Sequence, residues 1–146
     1  MHLLDTNHCS RIIDSDLKII NRLQENSEQE IGISVITRGE LLFMVEKSER
    51  QAENLEKVTR FVEAINIYRI DEAIADCYGQ LKGKILKHFG PKKDKAKRSK
   101  VTIQKLGFSD NDLWIAATAI SYGMTIISAD KDFVRIQEVQ HLSLEN

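Results

Sequence analysis

Long apolar runs are missing from this chain. None approaches the roughly 18 residues that a bilayer-spanning helix needs, so no segment reads as a membrane span. The start, Met1-His2-Leu3-Leu4-Asp5, has neither the basic nor the apolar region of a signal peptide and reads as a native start placed directly on a strand. Cysteine is scarce. Cys9 and Cys77 are the only two and follow no Cys-x-x-Cys spacing, so they are expected to be free, buried thiols of a cytoplasmic protein. Pro91 is the only proline, and with Gly90 it marks the end of a helix. No internal repeat is visible.

A dominant charge is also missing, since the formal net charge is −1. The near-balance hides an asymmetry. Lys82 to Lys105 holds ten Lys or Arg and one acid, Asp94, while the rest of the chain is strongly acidic. One basic segment on an otherwise acidic protein points to a polyanionic partner or to a solvated loop. The 146 residues, 42% hydrophobic and 29% charged, make one ordinary globular domain with a real core.

The pattern alternates short strands with helices. His2-Leu3-Leu4 is a buried strand that ends in the polar turn Asp5-Thr6-Asn7. Positions 8 to 26 are helical in one or two pieces, with Ile12, Ile13, Leu17, Ile20 and Leu23 as a stripe and Asp14 or Ser15 capping the second piece. Ile31-Gly32-Ile33-Ser34 is a strand, followed by an amphipathic helix over Val35 to Lys47 with Ile36, Leu41, Phe43 and Met44 as its apolar positions. Ala52 to Ala64 is a helix with Leu55, Val58, Phe61, Val62 and Ile65 inward, and Ile65 to Ile70 is strand-like. Asp71 caps a long helix that ends near Phe89. Pro91 to Leu106 is polar and lysine-rich and is left mostly without regular structure.

The stretch Asp110 to Ile120 organises the rest. Ser109 or Asp110 serves as N-cap, Leu113, Ala116, Ala117 and Ile120 recur at helical spacing, and Gly123 follows as a C′ residue. Met124 to Ser128 is the clearest strand. Asp130 to Phe133 turns into a short helix, and Val139 to Leu144 is a last strand. The expected fold is α/β, a mainly parallel sheet of four to five strands with helices on both faces.

In such sheets the functional crevice lies beyond the carboxyl ends of the strands. Asp5 and Asp130 each follow a strand. Glu40 lies in the first turns of a helix after a strand, and Asp112 opens the central helix. Each alone has an ordinary explanation: Asp5 and Asp130 as helix caps, Glu40 as an exposed helix residue, Asp112 as a complement to the helix dipole. Together they are expected to meet at one sheet edge. Four like charges there repel unless a cation sits among them. Hard oxygen ligands suit Mg²⁺ or Mn²⁺, which leave positions open for phosphate oxygens. No general base is apparent. His8 is a candidate for touching substrate or else a helix-face residue.

The chain resembles a PIN domain of the VapC-like ribonuclease toxin kind. Four segments carry the likeness: the strand ending in Asp5-Thr6-Asn7, Ser34 to Leu41, Asp112 to Ala119, and Ser128-Ala129-Asp130-Lys131-Asp132-Phe133. The resemblance implies a toxin of a type II toxin–antitoxin pair that cuts RNA, such as tRNA, by metal-dependent hydrolysis. It makes Asp5 and Asp112 the principal Mg²⁺ or Mn²⁺ ligands, with Glu40 and Asp130 completing the site directly or through water. Thr6, Asn7 and Ser128 would orient the carboxylates. It implies a small antitoxin and a homodimer, and part of Leu41 to Val45 is expected to meet one of them. The departure is the basic segment, expected to bind RNA through Lys92, Lys93, Lys95, Lys97, Arg98 and Lys100. Two other readings stay open. One is a non-catalytic partner- or RNA-binding module of the same fold. The other is an aspartate-based phosphatase-like domain, weakened because Asn7 stands where a second Asp is needed.

Overall fold

The computed structural model describes residues 1–15 and 30–146, so the stripe positions Leu17, Ile20 and Leu23, and the second helical piece, lie outside the described residues. The elements are β1 (His2–Leu4), α1 (Thr6–Ser15), β2 (Ile31–Ser34), α2 (Val35–Lys47), α3 (Gln51–Ala64), β3 (Asn66–Tyr68), α4 (Glu72–Phe89), α5 (Lys95–Lys100), α6 (Asp110–Tyr122), β4 (Thr125–Ile127), α7 (Lys131–Ile136) and β5 (Ser143–Glu145). The five strands form one sheet in the order β3-β2-β1-β4-β5. Every pairing is parallel, with β1 in the centre at Leu3↔Gly32 and Leu3↔Ile126.

Successive strand residues face opposite sides of a sheet, and in β1 the two sides are both apolar. Leu3 packs with Leu81, Ile85, Ala116, Ala119 and Phe133, from α4, α6 and α7. Leu4 packs with Cys9, Leu41, Val45, Val58 and Phe61, from α1, α2 and α3. One three-residue strand thus seeds two cores, which puts helices on both faces as the pattern predicts. Burial at Leu3, Ile33, Ile126 and the other fully covered aliphatics contributes about 1.5–3 kcal/mol each.

The central helix α6 buries Ala116, Ala117 and Ala119 completely, and these small side chains let α4 lie close along it. The two helices run antiparallel. Tyr122 at the end of α6 donates its hydroxyl proton to Asp71, the N-cap of α4, while Lys82 of α4 reaches Asp110 at the start of α6 at 3.2 Å. Gly123 ends α6 at φ 63°, in the left-handed region where an L side chain is strained.

The structure departs from the sequence reading in four places. The last strand, expected over Val139 to Leu144, is Ser143–Glu145, because the amides of Val139 and Gln140 bond back to the Ile136 carbonyl in the turn after α7. Phe43 and Met44 of α2 are 60% and 42% exposed, because only Thr37, Leu41 and Val45 of that helix turn fully inward. Leu55 is 47% exposed, since Asn54 rather than Leu55 turns into the groove with Leu41, Val45 and Val58. Residues 91–106 are mostly turns and loop, as expected, but they contain one short helix, α5, that was not expected. Asp94 caps α5 by accepting from the amides of Ala96 and Lys97 at 3.0 and 3.1 Å. Ile103 is fully buried in the core, and Phe108 donates its amide to the Ile103 carbonyl at 2.9 Å. Lysine-rich composition concealed one apolar anchor.

Ile103→Ala is therefore expected to cost about 2–4 kcal/mol, as for a buried aliphatic. Urea unfolding of the two proteins measures it, and a change below about 0.5 kcal/mol would mean that the segment is not anchored.

Candidate active site

Asp5 follows β1 directly and is 3% exposed. Its Oδ1 accepts from the His8 amide at 2.7 Å, which satisfies a free donor at the start of α1, and lies 3.0 Å from His8 Nδ1. Its Oδ2 accepts a short hydrogen bond from the Ser128 hydroxyl, just beyond β4. Ser128 Oγ in turn accepts from the Asp130 amide at 2.9 Å. Asp130 Oδ1 accepts from the Asp132 amide at 2.9 Å and caps α7. The cap readings of Asp5 and Asp130 are thus both correct, and neither prevents the carboxylates from sharing a pocket.

Glu40 reaches the same place from α2. Ser34 starts that helix by accepting from the Ile36 amide at 3.1 Å, and Thr6 donates its hydroxyl proton to Glu40 Oε1 at 2.6 Å. Asp112 comes from the first turn of α6. Ser109 is the N-cap there, without a side-chain capping bond. Asp110 instead ties α6 to its surroundings, accepting from Tyr78, from Lys82 and from Gln104 Nε2 at 2.8 Å. The Tyr78 hydroxyl, ahead of Lys82 and Gln104, holds the Asp110 carboxyl below the usual carboxylate range. Tyr78 also stacks flat on Trp114, with ring centroids 3.7 Å apart, so the turn that carries Asp112 is fixed from outside.

A cleft of about 700 Å³ opens at the carboxyl edge of the sheet and is lined by Asp5, Thr6, Asn7, Glu40, Asp112 and Asp130, with exposed Phe43 and Met44 at its side. All four acids singled out from sequence converge there. Burial, then the charges of Asp130, Glu40, Asp132 and Asp5 in that order, push the Asp112 carboxyl up to about 7. Deprotonating Asp112 is costly because four other carboxylates surround it.

Asp132 is the acid that the sequence reading did not single out. Carboxylate oxygens of Asp112, Asp130 and Asp132 lie within 4.8 Å of one another. Burial and Asp130 raise the Asp132 carboxyl, and Arg135 opposes them from 3.4 Å. The signal was its spacing: two acids two apart, with the second in the first turn of α7, where the chain curls back over Asp130. This donor set is all hard oxygen and over-charged, which fits Mg²⁺ or Mn²⁺. Lys92, Lys93, Lys95, Lys97, Arg98 and Lys100 are exposed, and none of them lines the cleft.

A five-stranded parallel α/β domain with acids gathered at its carboxyl edge defines the class. The PIN domain family model matches residues 2–139, and the chain belongs to the PIN-domain family. It is 30% identical to Ribonuclease VapC4 of Mycobacterium tuberculosis over 121 residues, 79% of this chain and 78% of that one. It is 29% identical to Ribonuclease VapC2 of Rickettsia felis over 151 residues, 100% and 97% of the two chains. Its fold matches VapBC2 from Rickettsia felis bound to a DNA fragment from their promoter, with a TM-score of 0.75 and 24% identity over 99% and 97% of the chains. DNA-bound VapBC from Salmonella typhimurium gives a TM-score of 0.74 at 25% identity, over 99% of this chain and 96% of that one. No helix among the described residues is long and apolar enough to cross a membrane.

The raised Asp112 carboxyl sets a pH dependence. An acid whose folded value lies above its ordinary 3.8 favours the folded state only while neutral. That stability is full below about pH 4 and is lost as pH rises through about 7. Partial exposure reduces the loss to about 1–2 kcal/mol. In EDTA, Asp112→Asn is expected to be more stable than the parent by that amount at pH 8 and equal to it at pH 4. Urea titrations at the two pH values decide this, and equal stability at pH 8 would contradict it.

Proposed function

We propose that this protein is the toxin of a toxin–antitoxin pair, a Mg²⁺- or Mn²⁺-dependent endoribonuclease that hydrolyses phosphodiester bonds in tRNA or another structured RNA. The observation that carries this reading is the convergence of Asp5, Glu40, Asp112 and Asp130, from four remote segments, on one cleft. The named ribonucleases VapC4 and VapC2 support it over most of the chain.

Asp5 and Asp112 are the principal metal ligands in this reading, with Glu40 and Asp130 contributing directly or through water. When bound, the ion supplies an activated water near neutral pH and offsets charge on the scissile phosphate. Ser128 and Thr6 hold Asp5 and Glu40 in place by hydrogen bonds. Asn7, at the rim of the cleft, is placed to orient a ligand or the substrate. His8 directs Nδ1 at Asp5 and fixes that carboxylate rather than meeting RNA. A cation held at Asp112 would displace the proton that burial and the neighbouring acids favour there, so its binding would weaken as pH falls.

An acidic cleft repels RNA, so the attraction to phosphates falls to the basic segment, Lys92, Lys93, Lys95, Lys97, Arg98 and Lys100 among it. The chain works as one domain in the cytoplasm, as a homodimer, with a small antitoxin covering the cleft. Exposed Phe43 and Met44 beside the cleft supply apolar surface for that partner.

Purified protein is expected to cut RNA with Mn²⁺ or Mg²⁺ and not with EDTA. Asp5→Asn and Asp112→Asn should each lower the rate by roughly 100-fold or more, and Thr6→Ala by about 10-fold. Gel analysis of end-labelled RNA gives the rates. Full cleavage by both Asn variants would remove the four acids from the mechanism.

A further inference from the structure

The basic segment folds around a built concavity. The C-terminal turn of α4, the loop after it and α5 enclose a notch of about 250 Å³ lined by Leu86, Lys87, Pro91, Lys92, Arg98 and Val101. Leu86, Pro91 and Val101 form a half-buried apolar floor, and Lys87, Lys92 and Arg98 are exposed around it. The turn that shapes it is tight. Gly90 is buried, and a Cβ there would lie 2.3 Å from the Leu86 carbonyl oxygen and 3.6 Å from Val101 Cγ1. The three cations therefore converge from three elements on a fixed backbone.

Nothing among the described residues neutralises them. The one acid in the segment, Asp94, caps α5 through Oδ1, accepting from the amides of Ala96 and Lys97, and no ion pair joins it to Lys87, Lys92 or Arg98 among the described residues. The neighbouring cations behave otherwise: Lys82 pairs with Asp110, and Arg135 pairs with Asp132 while stacking on Phe108. A cluster of unpaired cations is costly by self-repulsion, and an anion relieves that cost.

The notch is built on the end of the helix that packs along α6, the element that carries Asp112 into the cleft. Tyr78 stacks on Trp114 and Lys82 meets Asp110, so α4 and α6 run level in opposite directions. From Lys82 to Phe89, α4 then continues about 10 Å past the start of α6, beyond the carboxyl edge of the sheet.

We propose that the notch at Lys87, Lys92 and Arg98 is a backbone-phosphate subsite that holds the RNA strand whose scissile bond lies in the acidic cleft. This rests on the nuclease reading and deepens it. The apolar floor has no base-edge donors or acceptors in its side chains, so the subsite takes phosphate irrespective of sequence. The notch shares no lining residue with the cleft, so it takes nucleotides flanking the bond that is cut.

The test is binding of a fluorescein-labelled single-stranded RNA in EDTA, followed by anisotropy between 50 and 300 mM KCl. The triple variant K87Q/K92Q/R98Q is expected to bind about tenfold more weakly at 100 mM, with a salt slope shallower by about 1–2, as when two phosphate contacts are lost. K87R/K92R should bind like the parent. K57Q/R60Q removes two cations that pair with Glu53 and Glu56 on α3 and should also bind like the parent. Circular dichroism and urea unfolding verify that each variant is folded. Parental affinity and slope in the triple variant overturn the subsite, as does a drop of equal size in K57Q/R60Q. Cleavage with Mn²⁺ is scored separately. If the parent cuts RNA while the triple variant binds and cuts as the parent does, the subsite fails and the nuclease stands. If the parent neither binds nor cuts RNA, both fail.

Discussion

Repulsion among carboxylates is the constraint on which the site depends, and it is the hydrophobic core that imposes it. Parallel pairing of β1 with β4 sets the ends of both strands side by side, which delivers Asp5 and Asp130 to one edge. Leu4 against Leu41 brings in α2 and with it Glu40, and Leu3 against Ala116 and Ala119 brings in α6 and with it Asp112. None of the acids chooses its position. Two cores, each worth many kcal/mol of apolar burial, hold them together against a smaller electrostatic cost. That cost is concentrated on Asp112, whose carboxyl rises to about 7. A cation held among these acids would recover that cost, so a strained set of acids favours a metal more than a relaxed one does.

The acids of the cleft differ in the partners that hold them. Asp5 accepts from the His8 amide and the Ser128 hydroxyl. Asp112 lacks comparable donors among the described hydrogen bonds and has Asp130 and Glu40 beside it. Folding and chemistry draw on the same groups. A carboxylate offers about four acceptor positions, so Asp130 can cap α7 with one oxygen and still face the cleft with the other. Cap and ligand are compatible roles for one side chain, and the geometry requires no choice between them.

Much of this was legible from sequence, for identifiable reasons. The helix Val35–Lys47 was readable from its apolar spacing after the capping Ser34, and the end of α6 from Gly123, which takes the left-handed conformation. The central strands were readable because strands buried on both faces are apolar runs, whereas the edge strand β5, Ser143-Leu144-Glu145, has no such run and was placed too early. The four acids were readable because strand ends in a parallel sheet share one edge. The features that escaped depend on packing that periodicity does not encode. Ile103 is a single apolar residue among lysines, and burial of one side chain orders a whole turn. Asp132 looked like a surface turn residue until α7 folded it back beside Asp130. Phe43 lies in an apolar run but on the face of α2 that the core leaves open. The tie from Asp110 to Tyr78, Lys82 and Gln104 joins three segments, and no local pattern announces it.

The separation of charge along the chain has a physical reason. A cation placed within a few Å of the carboxylates pairs with them, as Lys82 does with Asp110 and Arg135 with Asp132. Such a cation is then lost to phosphate, and it weakens the acids as metal ligands. A cation set several Å away keeps its charge free, because at physiological ionic strength fields between exposed groups fade over about 8 Å. A protein that held a dication and a polyanion together would therefore need its acids and its free lysines apart. Here the acids line the cleft at the sheet edge, and Lys92, Lys93, Lys95, Lys97, Arg98 and Lys100, on the loop after α4 and on α5, line none of it. The net charge of −1 conceals that division into two surfaces of opposite sign.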